Sequence, residues 1–456
     1  MTVSAQANPF YGKIAGFAFF MYLFFIFFGT SLPFQPPVEA IDEKGGSSFF
    51  NQIVFSSLFL LGTAALWARR EDAAALLKKE KWLAIFLFWC LLSLLWSDYP
   101  FISFKRLFQI YTTVIVIVAA LIWKGSSSEL TDTFRAVVYL YIVLSIASVL
   151  FVSGAMDPKS PTAWRALAPS KNHLGQAALI CTFLCCISLS AGGEMKRKLT
   201  DIVMLGLSLI LLFGAQSVTS TITLFLLFLL WGVLALNKRF QTLGVGHFFL
   251  FFACVAGVVF AVMMSRFPDE IQAFFQFFGR DMTFTGRTSL WLDVFHYTKE
   301  HLFLGAGIGG FWIVENPAVL RIYQEYVWMP NQAHSGYVDI LNETGLVGFM
   351  VFIAMVGGFF IRYFRSSLHH PWIWFFLAAL ITNFQESTLF RQNVLTGVLF
   401  LFSYLALHYD LLRHESETVL SSETKYHSAP DDKQIRYLKN ITGQSANSVA
   451  GRETNE

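Results

Sequence analysis

Long stretches of almost purely apolar residues punctuate this chain, and they constrain its fold more than any other feature. A helix needs about 20 mostly apolar residues to cross the hydrocarbon of a bilayer. Stretches of that kind begin near residues 12, 48, 82, 104, 133, 173, 200, 218, 246, 337, 371 and 391. Backbone hydrogen bonds cannot go unmade in lipid, so each such stretch must be helical. Of 456 residues, 55% are hydrophobic, 50 are phenylalanine and only 14% are charged, which is too apolar for an ordinary soluble globule. The expected fold class is all-α, a polytopic membrane protein of about 12 transmembrane helices. The first stretch lacks a strongly basic n-region and a small-residue cleavage site, so it reads as a retained span and not a signal peptide.

Orientation follows from the basic residues, which collect in cytoplasmic loops. Arg69, Arg70, Lys78, Lys79 and Lys81 follow the second span, Lys196, Arg197 and Lys198 the sixth, Lys238 and Arg239 the eighth, and Arg362 and Arg365 the tenth. Every second loop is therefore basic. This places both termini in the cytoplasm, with the other loops facing outward. One of these, residues 265–334, is long and carries amphipathic pieces such as DEIQAFFQFF and TSLWLDVFHYTKEHLFLG, so short helices on the membrane surface are expected there. The chain then divides into a membrane domain, 1–412, and a polar cytoplasmic tail, 413–456, expected to be disordered. Cys90, Cys181, Cys185, Cys186 and Cys254 lie in apolar runs without a CxxC pair and read as small core residues.

Chemistry is expected where outer segments carry charge that topology does not require. DPKSPTAWRALAPSKNHLG holds Lys159, Arg165, Lys171 and His173 on the side where cations are scarce. The large loop adds Arg280, Asp281 and Arg287, then Asn331 and His334, and NFQESTLFRQN contributes Glu386 and Arg391. A basic cavity at the outer face, where no nucleotide is available, suits a phosphate that arrives on a lipid. Arginine binds phosphate oxygens through a planar fork, and a neutral histidine takes a proton from a sugar hydroxyl near pH 7. Together they point to glycosyl transfer from a lipid pyrophosphate.

Plainer readings stand beside these. A lone outward cation such as Lys159, Arg280 or Arg321 is ordinarily a snorkelling interface residue, whereas Arg287 in TGRTSLW and Arg165 beside Trp164 sit in compact motifs. Asp339, Asn342 and Glu343 share one helical face, and an acid there also suits a helix N-terminus. GAGIGG, residues 305–310, is a literal G-x-G-x-x-G, but no strand precedes it and it lies on the outer face, so it reads as a tight turn allowing close packing. His334, Asp339 and Glu343 match no standard zinc spacing.

Five segments in this order, LLSLLWSDYPFISFKR (Leu91 to Arg106), WRALAPSKNHLG (Trp164 to Gly175), TGRTSLW (Thr285 to Trp291), HLFLGAGIGGFW (His301 to Trp312) and AHSGYVDILNETGLVGF (Ala333 to Phe349), give the chain a resemblance. It resembles the O-antigen ligase and polysaccharide polymerase superfamily, and SKNHLG after Trp-Arg is closer to the exopolysaccharide polymerase branch than to the lipid A-core ligase branch. The resemblance implies a GT-C-like glycosyltransferase that works without nucleotide sugar, metal or other cofactor. Its donor would be an undecaprenyl-diphosphate-linked glycan and its acceptor a glycan or lipid-linked glycan in the bilayer. A chain-length regulator and export proteins are the implied protein partners; no nucleic acid is.

The same resemblance makes His334 the base toward the acceptor hydroxyl and Arg287 a diphosphate ligand. Many members carry a further arginine where this chain reads GAQSVTSTITL, residues 214–224, without one, and Arg165 or Lys171 is the expected substitute. Asn331, Asp339, Glu343, Glu386 and Arg391 are expected to support the site. A ligase to lipid A-core is the alternative reading. A lipid-linked sugar transporter is a third, although the paired halves or discontinuous helices it would need are not visible in the sequence.

Overall fold

The computed structural model describes residues 8–29, 49–240, 287–326, 329–366, 370–391 and 394–428. The described residues are almost entirely helical, as a chain of apolar spans requires. In order, the membrane helices are α1 (Pro9–Phe28), α2 (Phe49–Trp67), α4 (Lys81–Leu92), α5 (Pro100–Lys124), α6 (Ser127–Phe151), α7 (Lys171–Ala191), α8 (Met195–Ala215), α9 (Val218–Phe240), α12 (Gly336–Arg365), α13 (Ile373–Thr382) and α14 (Leu395–Ser428). Three short helices lie between them: α3 (Arg70–Lys79), α10 (Arg287–Thr298) and α11 (Pro317–Glu325). Among the described residues, 8 helices are long and apolar enough to cross a membrane, and the apolar helical stretches Lys81–Leu95, Val218–Val233 and Ile373–Thr382 are shorter. These account for every expected span except the one near residue 246, which lies outside the described residues, as do residues 265–286 of the large loop.

Apolar helices gain little from burying apolar surface away from lipid, so they associate where small residues let backbones approach. Ala15, Ala65 and Ala119 are fully buried together where α1, α2 and α5 meet, and Gly62 leaves no room for a Cβ against Ile115. Large apolar side chains such as Phe49, Leu60 and Phe213 are left exposed on the outside, where a bilayer would cover them. Cys90, Cys181 and Cys185 are buried as expected.

Two features depart from the expected all-helical pattern. Met156–Asp157 pairs antiparallel with Ser160–Trp164 as a short hairpin before α7. Buried Asp157 explains it, since its carboxylate accepts from the Lys159 N–H (2.9 Å) and the Lys171 N–H (2.7 Å), closing the turn and tying it to the start of α7. The hairpin is docked by Trp164, whose ring fills the space beside Gly214 of α8.

The second departure is a break in α12 at Gly345 (φ 67°, ψ −176°), so a discontinuous helix is present although none was visible in the sequence. The break frees backbone groups that lipid could not satisfy, and the preceding loop takes them up. Leu302 and Phe303 carbonyls accept from the Leu346 and Val347 N–H groups, and the Ala306 N–H donates to the Asn342 carbonyl. The GAGIGG turn makes this approach possible: Gly305, Gly307 and Gly309 all have φ between 63° and 90°, and a Cβ on Gly305 would strike the Glu343 and Gly345 backbone.

Among the described residues, 410–428 belong to one unit and 8–409 to another, the membrane body. The tail expected to be disordered from residue 413 is helical as far as Ser428. Helix-favouring pairs one turn apart explain the extension, with Arg413 and Glu417 at 2.7 Å. Residues beyond 428 lie outside those described.

Candidate functional site

A single loop, residues 383–388 between α13 and α14, gathers the site. Asn383, fully buried, builds it: its amide donates to the Ala379 carbonyl and Thr388 hydroxyl, and its carbonyl oxygen accepts from the Thr388 and Leu389 N–H groups. Four helices then begin against this loop. Asn172 of α7 donates to Glu386 Oε1 (2.9 Å), Thr219 of α9 to Gln385 Oε1 (2.9 Å), Arg287 of α10 to the Gln385 carbonyl, and the Gly336 N–H of α12 to the Asn383 and Glu386 carbonyls. Helix N-termini carry partial positive charge and unpaired N–H groups, so this end of the bundle is electropositive by construction.

Glu386 is buried at the centre. Arg287 Nη2 stands 3.7 Å from its Oε1, and His334 Nδ1 stands 3.6 Å from its Oε2. Burial alone would raise the Glu386 pKa, but the facing His334 and the charges of Arg287 and His173 outweigh it and hold the carboxyl below the usual range. The His334 side chain is 20% exposed, whereas the carboxylate behind it is 8% exposed. The imidazole thus has a buried anion on one side and access to substrate on the other.

The backbone at His334 is in the left-handed region (φ 51°), costly for a non-glycine residue and stable only when the surroundings impose it. Here they do. The Ala333 N–H donates to Asp339, the Ala333 carbonyl accepts from Trp291 Nε1 (2.8 Å), and the Gly336 N–H donates to the loop. Beneath this turn Leu290, Val294, Phe311, Trp312, Val319, Ile322 and Ala333 form a packed core of the large loop, so His334 rests on a built platform.

Asp339, Glu343 and Arg391 form a second cluster one turn further along α12. Asp339 accepts from Trp312 Nε1 (2.7 Å), Ser387 Oγ and Arg391 Nη2 (2.8 Å); Glu343 accepts from the Gly309 N–H (2.8 Å) and lies 3.6 Å from Arg391. Arg106 of α5 joins it by donating to the Gly309 and Trp312 carbonyls. Asp339 therefore ties His334's neighbour Ala333 to the far end of the same loop, and Glu343 with Arg106 fixes the glycine turn that closes the helix break.

The expected residues divide accordingly. Arg287, His334 and Glu386 come together, and Asp339, Glu343 and Arg391 lie beside them as a structural tie. Asn331 is exposed. Arg165 and Lys171 are engaged within the hairpin, donating to the Gly154 carbonyl (3.0 Å) and Ser160 Oγ (2.9 Å); among the described residues, none of their recorded contacts reaches Arg287, His334 or Glu386. Arg280 and Asp281 lie outside the described residues. Asn172, Ser217, Thr219 and Gln385 were missed by sequence reasoning. Their one signal was position, as polar residues at the starts and ends of apolar spans.

Residues 203–353, which contain Arg287, His334, Asp339 and Glu343, match the O-antigen ligase family. Over that stretch, about a third of its length, the chain is similar to this family. The Exopolysaccharide production protein ExoQ of Rhizobium meliloti (strain 1021) is 24% identical over 286 residues, covering 60% of this chain and 63% of that protein. The match to this relative thus spans less than two thirds of the relative's own length. Asn172, Glu386 and Arg391 fall outside the matched family stretch, so half of the loop cluster is supplied by parts of the chain beyond it.

Proposed function

We propose that this chain is a member of the O-antigen ligase and polymerase superfamily, a metal-independent glycosyltransferase of the bacterial inner membrane that polymerises undecaprenyl-diphosphate-linked repeats into exopolysaccharide, with its site facing the periplasm. One observation carries this reading: a histidine and an arginine, 47 positions apart in the chain, meet on the two oxygens of one buried carboxylate at a convergence of helix N-termini. Base and anion-binding group are thus held side by side.

A proton on His334 Nδ1 directed at Glu386, with the Gln332 amide 3.3 Å from the same nitrogen turned to present its oxygen, places the basic lone pair on Nε2. That nitrogen takes the proton of an acceptor sugar hydroxyl. The hydroxyl oxygen attacks the anomeric carbon, and the carbon–oxygen bond to the diphosphate breaks with its electron pair leaving on phosphate. Arg287 and the helix N-termini stabilise that charge. Undecaprenyl diphosphate departs and the anomeric centre inverts. Arg165 and Lys171, before and at the start of α7, would leave their Gly154 and Ser160 partners to join the diphosphate site.

The exopolysaccharide assignment draws on the name of the relative; the family description favours the alternative, transfer to lipid A-core. Deleting the gene and separating surface glycans on a gel distinguishes the two. Loss of long secreted chains with unchanged lipopolysaccharide is expected, and loss of the O-antigen ladder from lipid A-core would replace the polymerase with the ligase.

A further inference from the structure

The two oxygens of Glu386 have different neighbours, and what keeps them apart is not either of the residues expected to do chemistry. Oε2 faces His334. Oε1 accepts from Asn172 Nδ2 at 2.9 Å, with Arg287 behind it at 3.7 Å. The Asn172 amide is itself fixed, because its Oδ1 accepts from Ser217 Oγ at 3.3 Å, and Ser217 is buried. A carboxylate only accepts and an amide nitrogen only donates, so the amide cannot turn over without losing its bond to Glu386. Ser217 lies in the segment 214–224 that lacks an arginine, and Gly175 one turn along α7 leaves no room for a Cβ against Ser217 and Ser220, so α7 and α9 are pressed together at this point.

From this geometry we infer that Asn172, set by Ser217, is a positioning residue for the transfer reaction: it holds Glu386 Oε1 so that Oε2 stays on His334. The inference rests on the base and phosphate roles proposed above for His334 and Arg287. Without the amide, the stable partner for Glu386 is the adjacent guanidinium, because a two-point arginine–carboxylate pair is a strong, well-oriented contact. Closing that pair draws the carboxylate from the imidazole. A neutral amide suits the position because it satisfies one oxygen without adding charge to a site that must accept a diphosphate.

The test uses membrane vesicles of the full-length chain supplied with undecaprenyl-diphosphate-linked repeat extracted from the deletion strain. Asn172→Ala should lower kcat at least about tenfold, within the range of lost acid–base positioning, and Ser217→Ala should lower it less, with the double variant no worse than Asn172→Ala alone because both act through one contact. Asn172→Asp carries the sharper readout. At pH 8 it sets a second carboxylate against Glu386, in a cluster whose other titratable or charged members are Arg287, His334 and His173, and activity should be lost. On acidification to pH 6 the two carboxylates share a proton, the introduced carboxyl donates the missing hydrogen bond, and the ratio of variant to wild-type activity should rise about tenfold. A purely structural Asn172 would leave that ratio flat. A flat ratio, or wild-type kcat in properly accumulated Asn172→Ala, overturns the inference; if Asn172→Ala does not accumulate, Ser217→Ala and the acid recovery decide it. Retained activity in His334→Ala would instead remove the reading on which it rests, and is measured in the same vesicles.

Discussion

At the level of single residues, the site is a buried carboxylate dividing its attention between a base and a cation. Arg287 braces the loop through the Gln385 carbonyl and is the proposed diphosphate ligand. Arg287→Lys keeps the charge but loses the fork, and it should cost at least about tenfold in polymer formation by vesicle assay, a discrimination of order 1.4 kcal/mol. In the proposed mechanism arginine and helix N-termini take the place of a divalent ion, so transfer should persist in excess EDTA; a strict Mg²⁺ or Mn²⁺ requirement in the same assay would count against it. Asp339→Ala leaves the Ala333 N–H, Trp312 and Arg391 without their common acceptor. Removing one partner of a buried ion pair costs about 3–5 kcal/mol, which should appear as a clear drop in melting temperature of the purified protein.

His334, Arg287 and Glu386 were legible in the sequence because each is a costly residue in an outer segment where topology asks for none. Asn172 was not, although it lies inside a quoted motif. An uncharged amide acquires meaning only from its partner, and Glu386 is 214 positions away. Arg165 and Lys171 stood out for their charge, and the structure spends that charge within the hairpin.

At the level of elements, the span pattern was read directly from apolar length, since lipid permits little else. What it hid was the break in α12. Gly345 looks like any glycine in a span, and only the approach of the Phe303 carbonyl and Gly305 N–H shows that no Cβ fits there. Gly345→Ala meets both that crowding and a positive φ, so it should destabilise by about 1–3 kcal/mol or more, seen as a lowered melting temperature, whereas Gly357→Ala, with open space around it, should be neutral. A melt of Gly345→Ala equal to wild type would contradict the role of the glycine turn. The hairpin before α7 was hidden for a similar reason, because its stability comes from one side chain, Asp157, and not from strand propensity.

Across the whole molecule, a second buried cluster holds the opposite end of the bundle. Glu80, just before α4, meets Arg362 of α12 and both Tyr404 and His408 of α14, with His408 Nε2 at 2.7 Å. Burial pushes the Glu80 pKa up, but His408, Tyr404 and Arg362 together bring it down to about 2. An unfolded glutamate titrates near 4.3, so this contribution is fully present above about pH 4.3 and is lost as pH falls from there toward 2. The melting temperature of the solubilised wild type should therefore fall more steeply between about pH 4.5 and 3 than that of Glu80→Gln; parallel curves would show that the cluster carries no such linkage.

The central claim is that this bundle exists to present His334 to an acceptor hydroxyl beside Arg287. The most direct measurement is transfer from extracted undecaprenyl-diphosphate-linked repeat by vesicles containing His334→Ala, with protein level and melting temperature matched to wild type. Loss of a positioned base predicts a fall of about 10²–10⁴-fold in rate with donor binding retained. Transfer within a few-fold of wild type would show that the proton is taken elsewhere and would contradict the account.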